Sequence, residues 1–500
     1  MPISSINLLL DAVKDSSLFA RNLVSADQNT IEKREDIPVS TDFGGDVTIN
    51  DISLITKGGE KISLLDVYSG LMVEENIFSL SINGAVQIND VYGGLEKFLI
   101  TGGERMNIKI SKPNNGDILI WREDLVVTKI GPGIHDDISG GTSYSLFFTS
   151  NSFVQSMKKN LFKSYKNKSI AQAVVEIYQE MSPNDLFIED PKITLQNPFV
   201  STGFYPHRAI DYLAQRSCTK DKFFVFFERF IPVYGSYPDG YPFSTAHYFG
   251  SIEKLIEDSN QNPVQTIYFM SKNDALRETR LIRGINFQRK ENFDHMAAMK
   301  LGLYNSTISS IDPIARTVTK QKLSYTDNEQ ETKDFYGNKL LQAQNVFAIY
   351  DDVVNQTPGR KVIVNSINDS VPRENWLKNH IYGQLTRKMF RVSIEIQGGT
   401  NQIGVGHVVN LFVPSSFERI ANPNSTSLEV DRIHSGKYIV HSVTHTIREN
   451  KYTKNLQLSR SSIPTNLNRP DVKSFELTEL TDFVSDIVLN IPGNRRTTGR

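Results

Sequence analysis

Residues 432–463 read RIHSGKYIVHSVTHTIRENKYTKNLQLSRSSI, and the fold turns on how this stretch pairs. Ile439, Val440, Val443 and Ile447 are strand formers set among polar Lys437, His441, Ser442, Thr444 and Thr446. Such interleaving marks a half-buried strand. Arg448, Glu449, Asn450 and Lys451 form a polar turn, and Tyr452 with residues 455–459 leads back as a second strand. Ser435-Gly436 marks where the first strand begins. The stretch is therefore a β-hairpin. A two-stranded hairpin is not stable alone in water, so it needs neighbouring strands.

Upstream, Phe390 to Ile396 alternates strictly until Gly398-Gly399 breaks it, and residues 404–413 form the next strand. A loop rich in Asn and Ser follows over 414–431. A second small barrel is thus expected over 390–465. The first set of strands runs over 46–150, in short segments punctuated by glycines, with Gly84 as a candidate bulge and a short helical turn near residues 89–95. Many short strands at near-regular spacing point to an antiparallel barrel or sandwich.

Between the two sets the pattern turns helical. Helices are expected over 150–161, 169–181 and 206–217, the second begun by Asn167-Lys168-Ser169. Phe223 to Phe227 (FFVFF) reads as a buried strand, and 232–250, rich in Tyr, Gly and Pro, as a folded loop. A strand is expected over 264–269, a helix around 292–300, a hairpin around Asp312-Pro313, polar irregular chain over 326–370 and a helix over 374–389. The fold class is α+β, mainly β: two small antiparallel β-barrels with an α-rich middle region. The expected divisions are an N-terminal helix and arm (1–45), the first barrel (46–150), the α-rich middle (151–260), a mixed α/β connection (261–389), the second barrel (390–465) and a C-terminal extension with an amphipathic segment (466–500).

An apolar fraction of 39% with 22% charged residues is that of a soluble globular protein. The net charge of −1 carries no bulk bias toward nucleic acid or an anionic membrane. The one cysteine, Cys218, excludes internal disulfides and cysteine-based zinc sites. No run reaches the ~18 apolar residues of a membrane span.

Candidate reactive residues reduce to structural ones. His441 and His445 look like a metal pair, but four residues along a strand place them roughly 13 Å apart. That is too far to share a metal bound about 2 Å from each ligand, so they read as packing or interface histidines. His135-Asp136-Asp137 follows Gly131-Pro132-Gly133 and reads as a solvated turn. Gly404-Val405-Gly406 lacks the third glycine and the helix of a dinucleotide fingerprint, and Gly102-Gly103-Glu104 fails likewise. Cys218, beside Lys220 and Lys222, reads as a structural thiol. No catalytic residue, metal ligand or cofactor is expected.

Three groups of residues carry a family resemblance. In the first barrel they are residues 75–79, Ser81 to Asp90 (SINGAVQIND) and Gly102-Gly103-Glu104-Arg105. In the middle they are Phe204 to Arg216 (FYPHRAIDYLAQR) and residues 224–228. In the second barrel they are Ile396-Gln397-Gly398, Gly404-Val405-Gly406, residues 409–414 and Ser435-Gly436-Lys437-Tyr438-Ile439-Val440 with His445. In this order and spacing the chain resembles the baseplate central hub protein of contractile-tailed bacteriophages, and more distantly the hub part of type VI secretion spike proteins. Residues 1–45, 326–370 and those after 465 depart from the pattern.

The resemblance implies a structural, non-enzymatic virion protein of the tail baseplate, assembled in the host cytoplasm. It implies a homotrimer that adapts a sixfold tail tube to a threefold central spike around the genome-ejection channel. Its partners would be the spike, the tube or tube-initiator proteins, and the tape measure and baseplate wedge proteins, with no sequence-specific nucleic-acid binding. Two alternatives stay open: a tail-associated peptidoglycan hydrolase, and the hub of a type VI secretion-like injection system. The latter would usually continue into a spike of β-helical repeats, and no repeat follows Ile463.

Overall fold

The computed structural model describes residues 45–113, 118–135, 141–181, 186–195, 199–200, 203–217, 222–230, 245–261, 265–269, 282–292, 305–312, 316–324, 360–365, 390–398, 403–413, 431 and 433–460. The helix and arm expected before residue 45, the helix expected at 374–389, Cys218 and the extension 466–500 lie outside those residues, and of the helix expected around 292–300 only Asn292, at the end of a strand, lies within them.

The first barrel is built from β1 (Thr48–Ile55), β2 (Lys61–Ser63), β3 (Tyr68–Asn76), β4 (Asn83–Asp90), β5 (Arg105–Ser111), β6 (Ile118–Ile130), β7 (Ile134–His135) and β8 (Thr142–Ser150). Helix α1 (Gly94–Lys97) sits between β4 and β5, where the Asp90 carboxylate accepts the backbone N–H groups of Tyr92 and Gly94. The strands order as β2-β1-β5-β6-β8-β4-β3. Alternate residues face inward: Ile52 and Leu54, Leu71 and Val73, Val86 and Ile88, Met106 with Ile108 and Ile110, Leu146 and Phe148. Gly84 is not a bulge, because its register with Val73 and Phe148 is unbroken. It is glycine because a Cβ there would lie 2.3 Å from the Phe148 ring.

The middle unit comprises α2 (Asn151–Met157), β9 (Ser164–Tyr165), α3 (Ile170–Gln179), β10 (Leu186–Ile188), β11 (Phe199–Val200), α4 (Pro206–Arg216), β12 (Phe224–Phe230), β13 (Thr245–Ser251) and α5 (Ile252–Gln261). Ser169 and Gln172 cap α3 reciprocally, side chain to backbone, and Pro206 starts α4, where its missing N–H costs nothing. Residues 245–250, expected in a loop, belong to strand β13. Tyr248 and Phe249 bury on opposite faces there, and seven ladder positions pair it with β12. Strand β12 joins three cores. Phe223, Val225 and Phe227 enter the core of the second barrel, Phe224 and Phe226 enter that of the middle unit, and Phe230 packs on the first barrel.

The remaining strands are β14 (Gln265–Phe269), β15 (Ile282–Asn292), β16 (Asn305–Asp312), β17 (Thr317–Ser324), β18 (Arg360–Asn365), β19 (Phe390–Gln397), β20 (Val408–Phe412), β21 (Gly436–Arg448) and β22 (Lys451–Arg460). β16 and β17 are the hairpin expected near Asp312. β18, in a stretch expected to be irregular, joins them by pairing parallel with β16. The second barrel is the closed circuit β21-β20-β14-β15-β19-β22 and back to β21. It therefore recruits two strands from the region expected to be a separate connection (261–389). β14 runs parallel to both neighbours, β15 and β20, while every other pair in the ring is antiparallel. Their apolar side chains, Ile267 with Ile282 and Phe269 against it, belong to the same core as Val409, Leu411, Leu456 and Leu458.

Candidate functional site

The β21–β22 hairpin belongs to both barrels. Its two-residue turn, Glu449-Asn450, has φ of +48° and +61°, the left-handed pair of a tight hairpin whose twist matches its strands. At its base, residues 436–439 of β21 pair with β20. Beyond a bulge between Val440 and Ser442 the same strand changes partner and pairs with β3, from Ser442↔Asn76 to Ile447↔Leu71. A bulge adds local twist and bends a strand, which lets β21 leave one barrel and join the other. At the tip, the Val47 N–H donates to the Asn450 carbonyl (2.9 Å) and the Tyr452 N–H to the Gly45 carbonyl (2.7 Å). The tip thereby closes the first barrel between β3 and the start of β1.

Residues along the hairpin divide accordingly. Ile447 and Tyr452 fill the first barrel, whereas Tyr438, Ile439, Val440, Val443, Leu456 and Leu458 fill the second. At the base, the buried Arg460 guanidinium lies over the rings of Tyr438 (4.5 Å) and Phe390 (5.2 Å) and donates to the Ser435 carbonyl.

Where the cores meet, the side chains are polar. His445 places Nε2 2.7 Å from Oε1 of Glu75 and Nδ1 2.6 Å from the Tyr452 hydroxyl, all three buried. The other Glu75 oxygen accepts the Phe230 N–H (2.6 Å). Burial pushes Tyr452 well above the ordinary tyrosine range. Burial also lowers His445, against the pull of Glu75. A neutral imidazole donating from Nε2 to the carboxylate and accepting at Nδ1 from the tyrosine satisfies all three groups. Lys454 donates to the Ile403 carbonyl (3.0 Å), and burial draws it down to about 8 while Glu75 opposes the shift.

A second polar contact ties β12 to the first barrel. Glu228 accepts the Ile82 N–H (3.1 Å) on one oxygen and Arg122 Nη2 (3.3 Å) on the other. Arg122 also holds Asp124 through Nε (2.6 Å) and Nη2 (2.9 Å). Burial is the largest single influence on Glu228 and would raise it, but Arg122, His247 and the hydrogen bonds from Ser150 and Ile82 together keep the carboxyl below its usual range.

The residues singled out in the sequence take structural places. His441 sits at the bulge, where its carbonyl accepts the Ile77 N–H (3.0 Å). His445 is bound on both ring nitrogens, and no group of three or more His, Cys, Asp or Glu able to hold a metal occurs among the described residues. Gly102 and Gly103 adopt φ of +99° and +90° in a turn whose N–H groups at Thr101 and Gly102 are capped by the Glu104 carboxylate. Gly406 (φ +86°) packs under Leu255 of α5. His135 ends β7, and Asp136 and Asp137 lie outside the described residues. Sequence reasoning missed Glu75, Glu228 and Arg122. The one signal was a charged residue standing at an inward position of an otherwise apolar alternation. The Glu75 and Glu228 carboxylates are buried and already hydrogen-bonded to groups from other elements.

No protein-family model matches the chain, and no curated protein does. Among solved structures it is similar to the tail protein from Neisseria meningitidis MC58, at 10% identity over 82% of this chain and 96% of that one, with a TM-score of 0.46. It is similar to the 43 kDa tail protein of prophage MuSo2 from Shewanella oneidensis at 9% identity, over 82% and 98%, with a TM-score of 0.47. It is also similar to the E. coli c3393 protein, a component of the type VI secretion system, at 8% identity, over 85% and 80%, with a TM-score of 0.38.

Proposed function

We propose that this chain is the central hub of a contractile-tail baseplate, a structural virion protein without enzymatic activity. In this reading it forms a homotrimer that joins a sixfold tail tube to a threefold spike around the ejection channel. The observation that carries the reading is the shared hairpin. One strand pair serving two barrels fixes their mutual orientation, so the pair is a single building unit. Three such units around an axis present six barrels, which is the geometry needed to match three subunits to six. The ordered fragments that resemble the hub family support it, because they fall on the elements that make the unit: SINGAVQIND on β4 and its approach, FYPHRAIDYLAQR on α4, and SGKYIV on β21.

The test is native mass measurement of the purified protein alone and with its spike. Trimers, or trimers formed on adding spike, are the expected result, and a persistent monomer beside its spike overturns the reading. A peptidoglycan zymogram is expected to show no clearing, and a cleared band would favour the hydrolase instead.

A further inference from the structure

Two histidines that take no part in the shared hairpin lie side by side in the middle unit. His207 stands in the first turn of α4 and His247 on β13, both fully buried, with ring centroids 5.4 Å apart. The box around them is aromatic. Phe153 of α2 and Phe226 of β12 pack on His207 at 5.4 and 5.6 Å, and Phe226 stacks on His247 at 5.7 Å. The Tyr178 hydroxyl of α3 meets Nδ1 of His247 at 3.1 Å. Among the described residues, neither ring nitrogen of His207 nor Nε2 of His247 has a hydrogen-bond partner.

The charged groups facing the pair are few. Glu228 is the cross-strand partner of His247, and behind it stand Arg122 and Asp124 of β6. α2 contributes the Ser156 hydroxyl, which accepts the backbone N–H of His207 (3.0 Å), and α3 contributes Tyr178. Glu228 is already committed to Ile82 and Arg122 across the contact with the first barrel. Its charge favours protonation of both rings, but burial opposes that more strongly.

We propose that His207 and His247 form an acid-sensitive latch that holds the middle unit on the first barrel. While both rings are neutral, Phe226 packs against both of them and Glu228 stays paired with the barrel. Protonating both would set three cations, with Arg122, against the carboxylates of Glu228 and Asp124 in a buried aromatic box. Opening the seam to water relieves that imbalance. Burial draws His207 down to about 3 and holds His247 below its ordinary 6.5, so the closed state resists protons that the open state accepts. The closed state's advantage is therefore full above pH 6.5 and is lost progressively as pH falls below it. The loss is up to tenfold per histidine per pH unit, or about 100-fold for the pair.

Hydrogen exchange of the full chain between pH 7 and pH 4.5, corrected for intrinsic rates, tests this. Protection over 206–216, 224–230 and 245–251 is expected to fall below pH 6.5 with a slope approaching two protons per opening, while residues 105–111 stay protected. A His207→Phe/His247→Phe protein is expected to lose that slope. Equal pH dependence in the two regions, no fall by pH 4.5, or an unchanged slope in the folded double variant would overturn the latch. Should the double variant not fold, the wild-type slope and its confinement to the middle unit decide the matter.

Discussion

Nε2 of His445 lies 2.7 Å from Oε1 of Glu75 although 370 residues of chain separate them. The contact joins the strand that leaves the second barrel to the strand that completes the first. The other Glu75 oxygen holds β12, so one buried carboxylate ties together both barrels and the middle unit. Replacing it by Glu75→Ala strands a buried imidazole and a buried N–H. The expected loss is about 2–5 kcal/mol in urea unfolding, about 1–3 kcal/mol for each stranded group. Glu75→Gln retains one acceptor and is expected to cost less. A loss below about 1 kcal/mol for the alanine variant would mean that this junction carries little of the coupling.

Lys454 gives the seam an alkaline signature. Its ammonium is buried against the Ile403 carbonyl, and its folded value is drawn down to about 8 from 10.5. Between those two values the unfolded chain binds more protons than the folded one. Stability therefore rises with pH across that window, by at most tenfold in the folding equilibrium per pH unit from this one group. Below about 8 the penalty is present in full. Unfolding measured from pH 7.5 to 10 is expected to show the rise in the natural protein and to lack it in Lys454→Met. An identical slope in both would assign the effect to other groups.

The hairpin was legible in the sequence because period-two alternation and a polar turn are local signals. Its double use was not. Alternation reports which face of a strand is buried, not which strand lies beside it, and nothing local to 436–448 says that β20 is exchanged for β3 at residue 441. β15 was obscured by a following run that reads as helical, and β13 by the Tyr-, Gly- and Pro-rich chain before it. Glu75, Glu228 and Arg122 were invisible as a set for a related reason: their partners come from across the chain. The middle helices, by contrast, could be read from a capping serine, a leading proline and helical spacing.

Gly84 carries a steric prediction. A Cβ at this position would stand 2.3 Å from Cζ of Phe148 and 2.4 Å from the Met72 carbonyl oxygen. Gly84→Ala is expected to lower stability by about 1–3 kcal/mol. Adding Phe148→Leu should recover only part of that, since the Met72 oxygen is backbone. Gly58→Ala is the control. Its nearest neighbour is Thr56 Oγ1 at 3.7 Å, and a change within about 0.5 kcal/mol is expected. Thermal unfolding of the three variants orders them, and a Gly84→Ala melting point equal to that of Gly58→Ala would contradict the register of β4 against β8.

The shared hairpin also predicts that the first barrel does not fold by itself. Residues 45–150 supply β1 to β8, but the space between β3 and the start of β1 is filled by β21 and the hairpin tip. Without them Ile447 and Tyr452 are missing from the core, Glu75 loses its histidine, and β3 presents an open edge of unpaired backbone groups. A polypeptide of residues 45–150 is expected to lack a cooperative melt and protected amides over 71–76, and to aggregate. Joining residues 436–460 to it through a flexible Gly/Ser segment restores the missing edge and is expected to restore both signals. The apolar base of the added hairpin, including Val440, Leu456 and Leu458, would be exposed, so Ser replacements there are compatible with rescue. Cooperative monomeric folding of 45–150 alone would show that the first barrel closes without the hairpin, and would remove the reason for treating the two barrels as one unit.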